Sequence, residues 1–463
     1  MTSLLETPAP AAADGLTLRR GAARVLLANW TGTSTVPSRG LYPHQWSWDS
    51  AFIAIGLRHL SVRRAQRELE SLVGAQWADG RLPHIVFNPA VPLDAYFPSP
   101  DFWRSSSAGA TTGAPAGTET SGIVQPPVHA LSAWLVHSAD PEASRRRGFL
   151  PRLYGRLAAW HDYLAGPRDL GSGGLAAVVH PWEAGMDNSP CWDGPLQRVE
   201  PSVPSSYRRA DLDHGQPAER PTDLDYGRYV RLAGDYRDRF YADSGEKHAF
   251  AVEDPCFNAL LIVSEHALAQ IATATGADPA RHERRAAQLT DALVARLWSP
   301  AEGMFLCRDL VGDELIPERS IAGLVPLIVP GLPRDLVDAL LGTAAGTGFR
   351  LGEVPMAPSY DFTGNAFDGS RYWRGPAWFN TNWLLERGLR EHGQTREADR
   401  LRTSMLTAAG ACDFAEYVDP LTSQALGTRD FAWTAALTLD LLAAAQSSEV
   451  TGRTTGPTNG VRT

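Results

Sequence analysis

An all-α fold is what this sequence predicts, an (α/α)6 barrel (α-toroid) in which six inner helices are ringed by six outer ones. Three observations predict it. Apolar residues recur at three- and four-residue steps in about a dozen separate stretches. Two-residue alternation is scarce, so little β structure is expected. The helical stretches are joined by long loops rich in Gly, Pro and aromatic residues, and loops of that length in a compact protein usually carry function, here as a cover over an active site. An α-solenoid is the competing architecture, but no self-similar period runs through the residues, as stacked repeats would require.

In chain order the helical periodicity occupies 16–30, 50–60 and 64–77, then 126–138 and 147–165. It resumes at 255–275, 280–297, 320–328 and 333–343, and closes with 376–391, 395–409 and 430–446. The best short-strand candidates are LAAVVH (175–180) and GMFLCRDL (303–310). The Ala/Pro-rich start and the Ser/Thr/Gly-rich end read as frayed, giving a flexible N-terminus at 1–15, one catalytic domain at 16–446 and a flexible tail at 447–463. Segments 97–122 and 207–229 are expected to be mobile and to close over a ligand, since their Gly/Ser/Thr or charged composition offers little apolar area to hold them.

Composition narrows the function. With 463 residues, 43% hydrophobic and 21% charged, the chain has the makings of a large core. A net charge of -9 gives no electrostatic footprint for nucleic acid or for an anionic membrane. Neither is expected as a partner, and an anionic small molecule would have to be held by a few placed arginines. Cys191, Cys256, Cys307 and Cys412 lie far apart with no CxxC pair, which predicts free thiols in a reducing compartment. The N-terminus has no basic n-region, and no uncharged apolar run approaches membrane-spanning length, so a cytoplasmic protein is expected. HExxH, GxSxG, P-loop and Rossmann signatures are all missing, and the twelve histidines are scattered. No cofactor and no catalytic metal are expected. Oligomeric state is open between a monomer and a homo-oligomer.

Tryptophan is the informative residue, because Trp46, Trp48, Trp182, Trp192, Trp373, Trp378, Trp383 and Trp433 fall in four short segments that also hold acids. Rings beside carboxylates suit a sugar, whose C–H faces stack on aromatics while its hydroxyls need polar partners. The competing reading is that these tryptophans are core and the acids cap helices. In HPWEAGMDNSPCWD (180–193), Gly185 and Asn188-Ser189-Pro190 break any helix and leave Asp187 on a turn. An apolar wall there would raise its pKa and suit a general acid; an Asx-turn is the alternative, and Glu183 is a rival acid. Glu416, in CDFAEYVDPLT, is the candidate second carboxylate, with Asp419 read as a turn former and Asp430 as a helix cap. Asp49 is either an N-cap or an acceptor for a sugar hydroxyl.

On these residues the chain resembles the mannosylglycerate and glucosylglycerate hydrolases, relatives of the processing α-glucosidases of glycoside hydrolase family 63. The resemblance runs from about Asn29 to Leu442 and is carried by YPHQWSWDSAF, GIVQPPVHA, HPWEAGMDNSPCWD, RPTDLDYGRY, YWRGPAWFNTNWL and EYVDPLT with FAWTAAL. It implies the (α/α)6 barrel and inverting hydrolysis of an α-hexoside, with Asp187 as general acid and Glu416 as general base. It also implies a sugar subsite of Trp48 and Asp49 with Tyr42, Trp46, Gln125, Tyr372 and Trp378, beside Trp182 and Trp373 of the same tryptophan-rich segments. Arg220 and Tyr226 match residues that hold the carboxylate and hydroxyls of glyceric acid, with Tyr96 a further candidate and Arg208 and Arg209 nearby rivals. Ala184, Ser423 and Ala432 depart from the usual family pattern.

The function expected is hydrolysis of glucosylglycerate, and of mannosylglycerate, to hexose and glycerate. Two alternatives stand beside it: an exo-acting α-glucosidase on neutral oligosaccharides, and a non-catalytic sugar-binding protein. The last is disfavoured by the pair of carboxylates, which binding alone does not need.

Overall fold

The computed structural model describes residues 14–213, 216–243 and 248–454, with side chains to residue 445. The start to residue 13 and the end from 455, both expected to be flexible, lie outside the described residues. Twelve helices of more than ten residues are found among the described residues. They are α1 (Gly15–Ala28), α2 (Ser47–Leu57), α3 (Val62–Gly74), α4 (His129–Ala139), α5 (Phe149–Ala165) and α6 (Asp223–Asp238). The second half adds α7 (Pro255–Thr275), α8 (Ala280–Leu297), α9 (Arg334–Ala345), α10 (Phe379–Glu391), α11 (Thr395–Ala411) and α12 (Ala432–Thr454). The last helix therefore runs eight residues beyond the 446 expected for it.

Burial separates the helices into two rings. Every residue of α2 is buried, and α7 and α10 are buried on nearly all sides, as helices surrounded by other helices must be. By contrast α3 buries Ala65, Leu69, Leu72 and Val73 along one stripe and leaves its basic face to solvent, the pattern of an outer helix. Packing closes the inner ring in the order α2, α4, α7, a pair of 3-10 turns at Ile321–Gly323 and Val325–Ile328, α10, α12 and back to α2. The sixth inner position is thus not the α-helix expected at 320–328. Pro326 has no N–H to donate, Gly323 sits just before it, and the chain tightens into 3-10 turns instead.

Local signals set the helix starts. Asp14 accepts from the Thr17 N–H at the start of α1, Thr222 from Asp225 at α6, and Asp254 from Phe257 at α7, where Pro255 occupies the first helical position. Helix α6 was not legible in the hydrophobic pattern, because DLDYGRYVRLAGDYRD is strongly charged and three of its seven buried residues are tyrosines. It takes up the last seven residues of the 207–229 segment expected to be mobile, of which 214 and 215 lie outside the described residues. The other such segment, 97–122, holds Trp103, which is fully buried, and Tyr241 donates its hydroxyl hydrogen to the Trp103 carbonyl. Trp103 thus gives 97–122 an apolar anchor, whereas the described part of 207–222 is mostly exposed or half-buried, with Ala210, Asp211, Arg220 and Pro221 as its buried positions. Helix α7 is long and apolar enough to span a membrane by composition, but Glu265 interrupts it, so it is not the uncharged run whose absence was expected; 83% of that window is buried in the protein, and Glu265 is paired with Arg285.

The strands are two residues long and antiparallel. LAAVVH supplies Ala177–Val178, and GMFLCRDL is split into Met304–Phe305 and Arg308–Asp309, which belong to different sheets. Two of the small sheets matter for function: Gln45–Trp46 pairs with Ile85–Val86 just before α2, and Ala377–Trp378, Tyr417–Val418 and Ala425–Leu426 form a sheet just before α10. The four cysteines are free and buried, as expected.

Candidate active site

Residues at or just before the N-termini of α2, α4, α10 and α12 line one cavity, which every residue assigned to the site from the sequence faces. One wall is aromatic. Trp373 and Trp378 stack with ring centres 3.9 Å apart and nearly parallel, and Trp378 lies 4.4 Å from Tyr417. Trp48 meets Trp433 edge-on at 5.5 Å. Across the cavity, Trp46 and Tyr96 meet edge-on at 5.3 Å, and Trp182 packs against His180. Gln125 accepts the Trp48 N–H, so it also anchors the first turn of α2.

The segment around Asp187 is fixed from both sides. His180 accepts the Trp182 N–H and caps a 3-10 turn, Pro181–Ala184, which Gly185 ends at φ +71°. Trp192 then donates to the Met186 carbonyl, and Tyr229 donates to that of Asp187. Gly185 is required twice over: its φ is left-handed, and a Cβ there would lie 2.5 Å from the Trp48 ring. Gly185→Ala is therefore expected to lower stability by roughly 1–3 kcal/mol and to raise KM by displacing Trp48. Urea unfolding and initial rates check this, and wild-type values in both would contradict it.

No Asx-turn holds the Asp187 side chain among the described residues. Burial raises its pKa to about 7, against the lowering influence of Arg220. Glu183, the rival acid, is excluded from the cavity. It is fully buried, paired bidentately with Arg168 at 2.6 and 2.7 Å, and accepts the N–H groups of Val124 and Val179, so it holds the turn in place.

Glu416 precedes the Tyr417–Val418 strand, and its N–H donates to the Thr428 carbonyl. Its carboxylate accepts from the Tyr42 hydroxyl at 2.9 Å and from the Thr428 N–H at 3.2 Å. Burial lifts its pKa to about 6, opposed first by Arg220. Gly427 gives it room, since a Cβ there would lie 2.6 Å from Glu416 Oε2. Asp49 is not an N-cap: α2 begins at Ser47, and the Asp49 carboxyl faces the cavity with its pKa raised by burial and by Glu416. Asp430 is not seen as a cap either; it pairs with Arg24. Asp419 does form the expected turn, accepting from Leu421 and Thr422.

One guanidinium faces these acids. Arg220 precedes Pro221, which disfavours helix at that position, and its backbone is extended at φ -101° and ψ 164°. Its side chain is 9% exposed, lies over the Tyr372 ring at 4.4 Å and donates from Nη1 to the Tyr42 oxygen at 3.1 Å. The Nε–H has no hydrogen-bond partner among the described residues, and Asp211 stands 3.6 Å away. Tyr372 itself sits at φ +41°, a strained position for a tyrosine. The rival arginines point elsewhere: Arg208 is exposed and binds Asp213, while Arg209 pairs with Asp211 and covers the Tyr226 ring. Tyr226, on α6, donates to the Phe97 carbonyl.

Sequence reasoning missed His84, Phe97, Asp211 and Phe431 in the lining. His84 is neutral, its pKa pushed down to about 3 by burial, and lies parallel to Trp182. Asp211 was hidden in RRADLD, a charged run that looks like a solvated face. Its proximity to Arg220 is a tertiary fact with no local signal.

With this geometry in view, comparison with known proteins is informative. Residues 42–434 match the family described as the mannosylglycerate hydrolase MGH1-like glycoside hydrolase domain. The mannosylglycerate hydrolase of Rubrobacter radiotolerans is 42% identical over 424 residues, covering 90% of this chain and 95% of that protein. The glucosylglycerate hydrolase of Mycolicibacterium hassiacum is 37% identical over 444 residues, covering 91% and 96%. Among solved structures, the GH63 mannosylglycerate hydrolase of Thermus thermophilus in complex with Tris and D-glycerate superposes with a TM-score of 0.83 at 39% identity, covering 91% of this chain and 99% of that one.

Proposed function

The chain belongs to the MGH1-like branch of glycoside hydrolase family 63, an inverting glycosidase family, and from that premise we propose that it splits glucosylglycerate and mannosylglycerate into hexose and glycerate. Asp187 protonates the glycosidic oxygen. Glu416 takes a proton from a water attacking the anomeric carbon from the opposite face. Asp49 and the stacked tryptophans hold the hexose. Arg220 and Tyr226 meet the glycerate, with Tyr96 alongside.

The observation that carries the substrate assignment is Arg220. A buried guanidinium with an unspent N–H, the cation of a cavity lined by aromatic rings and by Asp49, Asp187, Asp211 and Glu416, favours a ligand that brings its own negative charge. A neutral disaccharide could offer the guanidinium only hydroxyl oxygens and would forgo the charge-assisted, two-bond contact that a carboxylate makes, a difference of about 1–2 kcal/mol. The test is a screen of glucosylglycerate, mannosylglycerate, kojibiose, maltose and isomaltose. The glycerate-linked hexosides should exceed the three neutral sugars in kcat/KM by about 100-fold or more. Comparable rates on maltose would replace this assignment with a general exo-α-glucosidase. Proton NMR of the fresh mixture should show β-glucose first from glucosylglycerate, as inversion demands.

A further inference from the structure

Tyr42 hydrogen-bonds both the aglycone-facing cation and the carboxylate assigned as base. Its oxygen accepts from Arg220 Nη1 at 3.1 Å, its hydrogen goes to Glu416 Oε1 at 2.9 Å, and the Tyr372 hydroxyl lies 3.1 Å away. A phenol has one hydrogen and two acceptor sites. With the hydrogen on Glu416, Tyr372 must be the donor in the Tyr42–Tyr372 contact, and the Tyr42 oxygen is saturated. Donation into a phenol oxygen by a cation polarises its O–H and strengthens the bond that the hydrogen makes further on.

We propose that Tyr42 is a positioning residue that couples the occupant of Arg220 to the basicity of Glu416, so that an anionic aglycone speeds the chemical step as well as binding more tightly. This rests on the assignment of Glu416 as base and of Arg220 to the aglycone carboxylate. With no anion on its guanidinium, Arg220 pulls on the Tyr42 oxygen, Tyr42 donates strongly to Glu416, and the carboxylate is a weak base. When a carboxylate takes the guanidinium, the pull falls, the Tyr42 bond weakens, and Glu416 gains affinity for the proton it must remove from water. A neutral aglycone leaves the base in its weaker state.

The groups that act on Glu416 from around the cavity are Asp49 from α2, Asp187 from its turn, Glu219 and Arg220 from the segment before α6, and Tyr42, Tyr372 and Tyr417. Of these, Tyr42 alone gives the Glu416 carboxylate a side-chain hydrogen bond among the described residues.

The experiment compares glucosylglycerate with glucosylglycerol, which has CH2OH in place of the carboxylate, for the wild type, Tyr42→Phe, and a variant carrying 3-fluorotyrosine at position 42. In the wild type the acid limb of kcat should lie at higher pH with glucosylglycerate than with glucosylglycerol. Tyr42→Phe should raise the limb for glucosylglycerol by about one unit, narrow that gap, and cut the glycerate-over-glycerol ratio of kcat by about tenfold, while the ratio of KM stays within about twofold. The more acidic fluorophenol donates more strongly and should move the limb the other way. A purely structural role for Tyr42 would lower rates without this ordered movement of the limb, and that outcome overturns the inference. Two controls separate it from its premise: full activity in Glu416→Gln, or equal losses on both substrates in Arg220→Ala, would overturn the assignment and the inference with it. With those controls behaving as assigned, an unmoved acid limb in Tyr42→Phe overturns the inference alone.

Discussion

Replacing either carboxyl of the proposed pair, Asp187→Asn or Glu416→Gln, is expected to lower kcat on glucosylglycerate by about a thousandfold or more, the scale of a lost general acid or base. The pH dependence should identify which proton each handles. Glu416 must be ionised to activate water, so the rate falls as pH drops through about 6; Asp187 must be protonated to release the leaving group, so the rate falls as pH rises through about 7. The wild-type profile of kcat/KM is therefore a narrow bell centred between those values. Residual activity in Glu416→Gln should lose the acid limb, and in Asp187→Asn the alkaline limb.

Stability runs the opposite way from activity in these variants. Both carboxyls titrate higher in the folded protein than in the unfolded chain. Between the two values the unfolded state holds fewer protons, so stability falls as pH rises through that window. A neutral amide removes this penalty, and at pH 8 the Tm should be unchanged or higher. A thousandfold loss of activity accompanied by a fallen Tm would mean a damaged fold, and the assignment of roles would fail. Wild-type activity in either variant would refute it outright.

How far the sequence carried depended on whether each signal was local. Two inner helices announce themselves because a helix buried nearly all round is apolar over most of its surface, as in SWDSAFIAIGL or PCFNALLIVSEHALAQIATAT. Helix α6 did not, because Tyr226, Tyr229 and Tyr236 share its buried face with Val230, Leu232 and Ala233 in a strongly charged stretch, and tyrosines also read as loop or site residues. The 3-10 pair at 321–328 was apolar enough to look helical, and its one disqualifying residue, Pro326, was outweighed by the pattern. At the site, the tryptophans and acids were legible as residue types in unusual company. Their roles were divided only by tertiary contacts: Glu183 and Asp187 are four residues apart in one motif, yet Arg168 claims the first and leaves the second facing the cavity. Asp211 and the Tyr42–Glu416 bond link positions too far apart in sequence for any spacing rule to connect.

Arg220→Ala should divide substrates by charge. Its guanidinium is expected to meet the glycerate carboxylate, and losing a charge-assisted hydrogen bond costs about 1.5–3 kcal/mol, or roughly one to two powers of ten in KM for glucosylglycerate. Glucosylglycerol, which offers no carboxylate, should change in KM by less than about threefold. The structure adds a second expectation. Arg220 is the leading influence holding down the pKa of both Asp187 and Glu416, so its removal should move both limbs of the pH profile upward for either substrate. Rates compared at a single pH would confuse this shift with lost binding, and full profiles are needed. Asp211 does not complicate the reading through a buried unpaired charge, because Arg209 still pairs with it. Equal increases in KM for the two substrates would make Arg220 a structural cation that merely neutralises its acidic neighbours. The glycerate assignment would then lose its support, and a neutral α-glucoside would become the better candidate substrate.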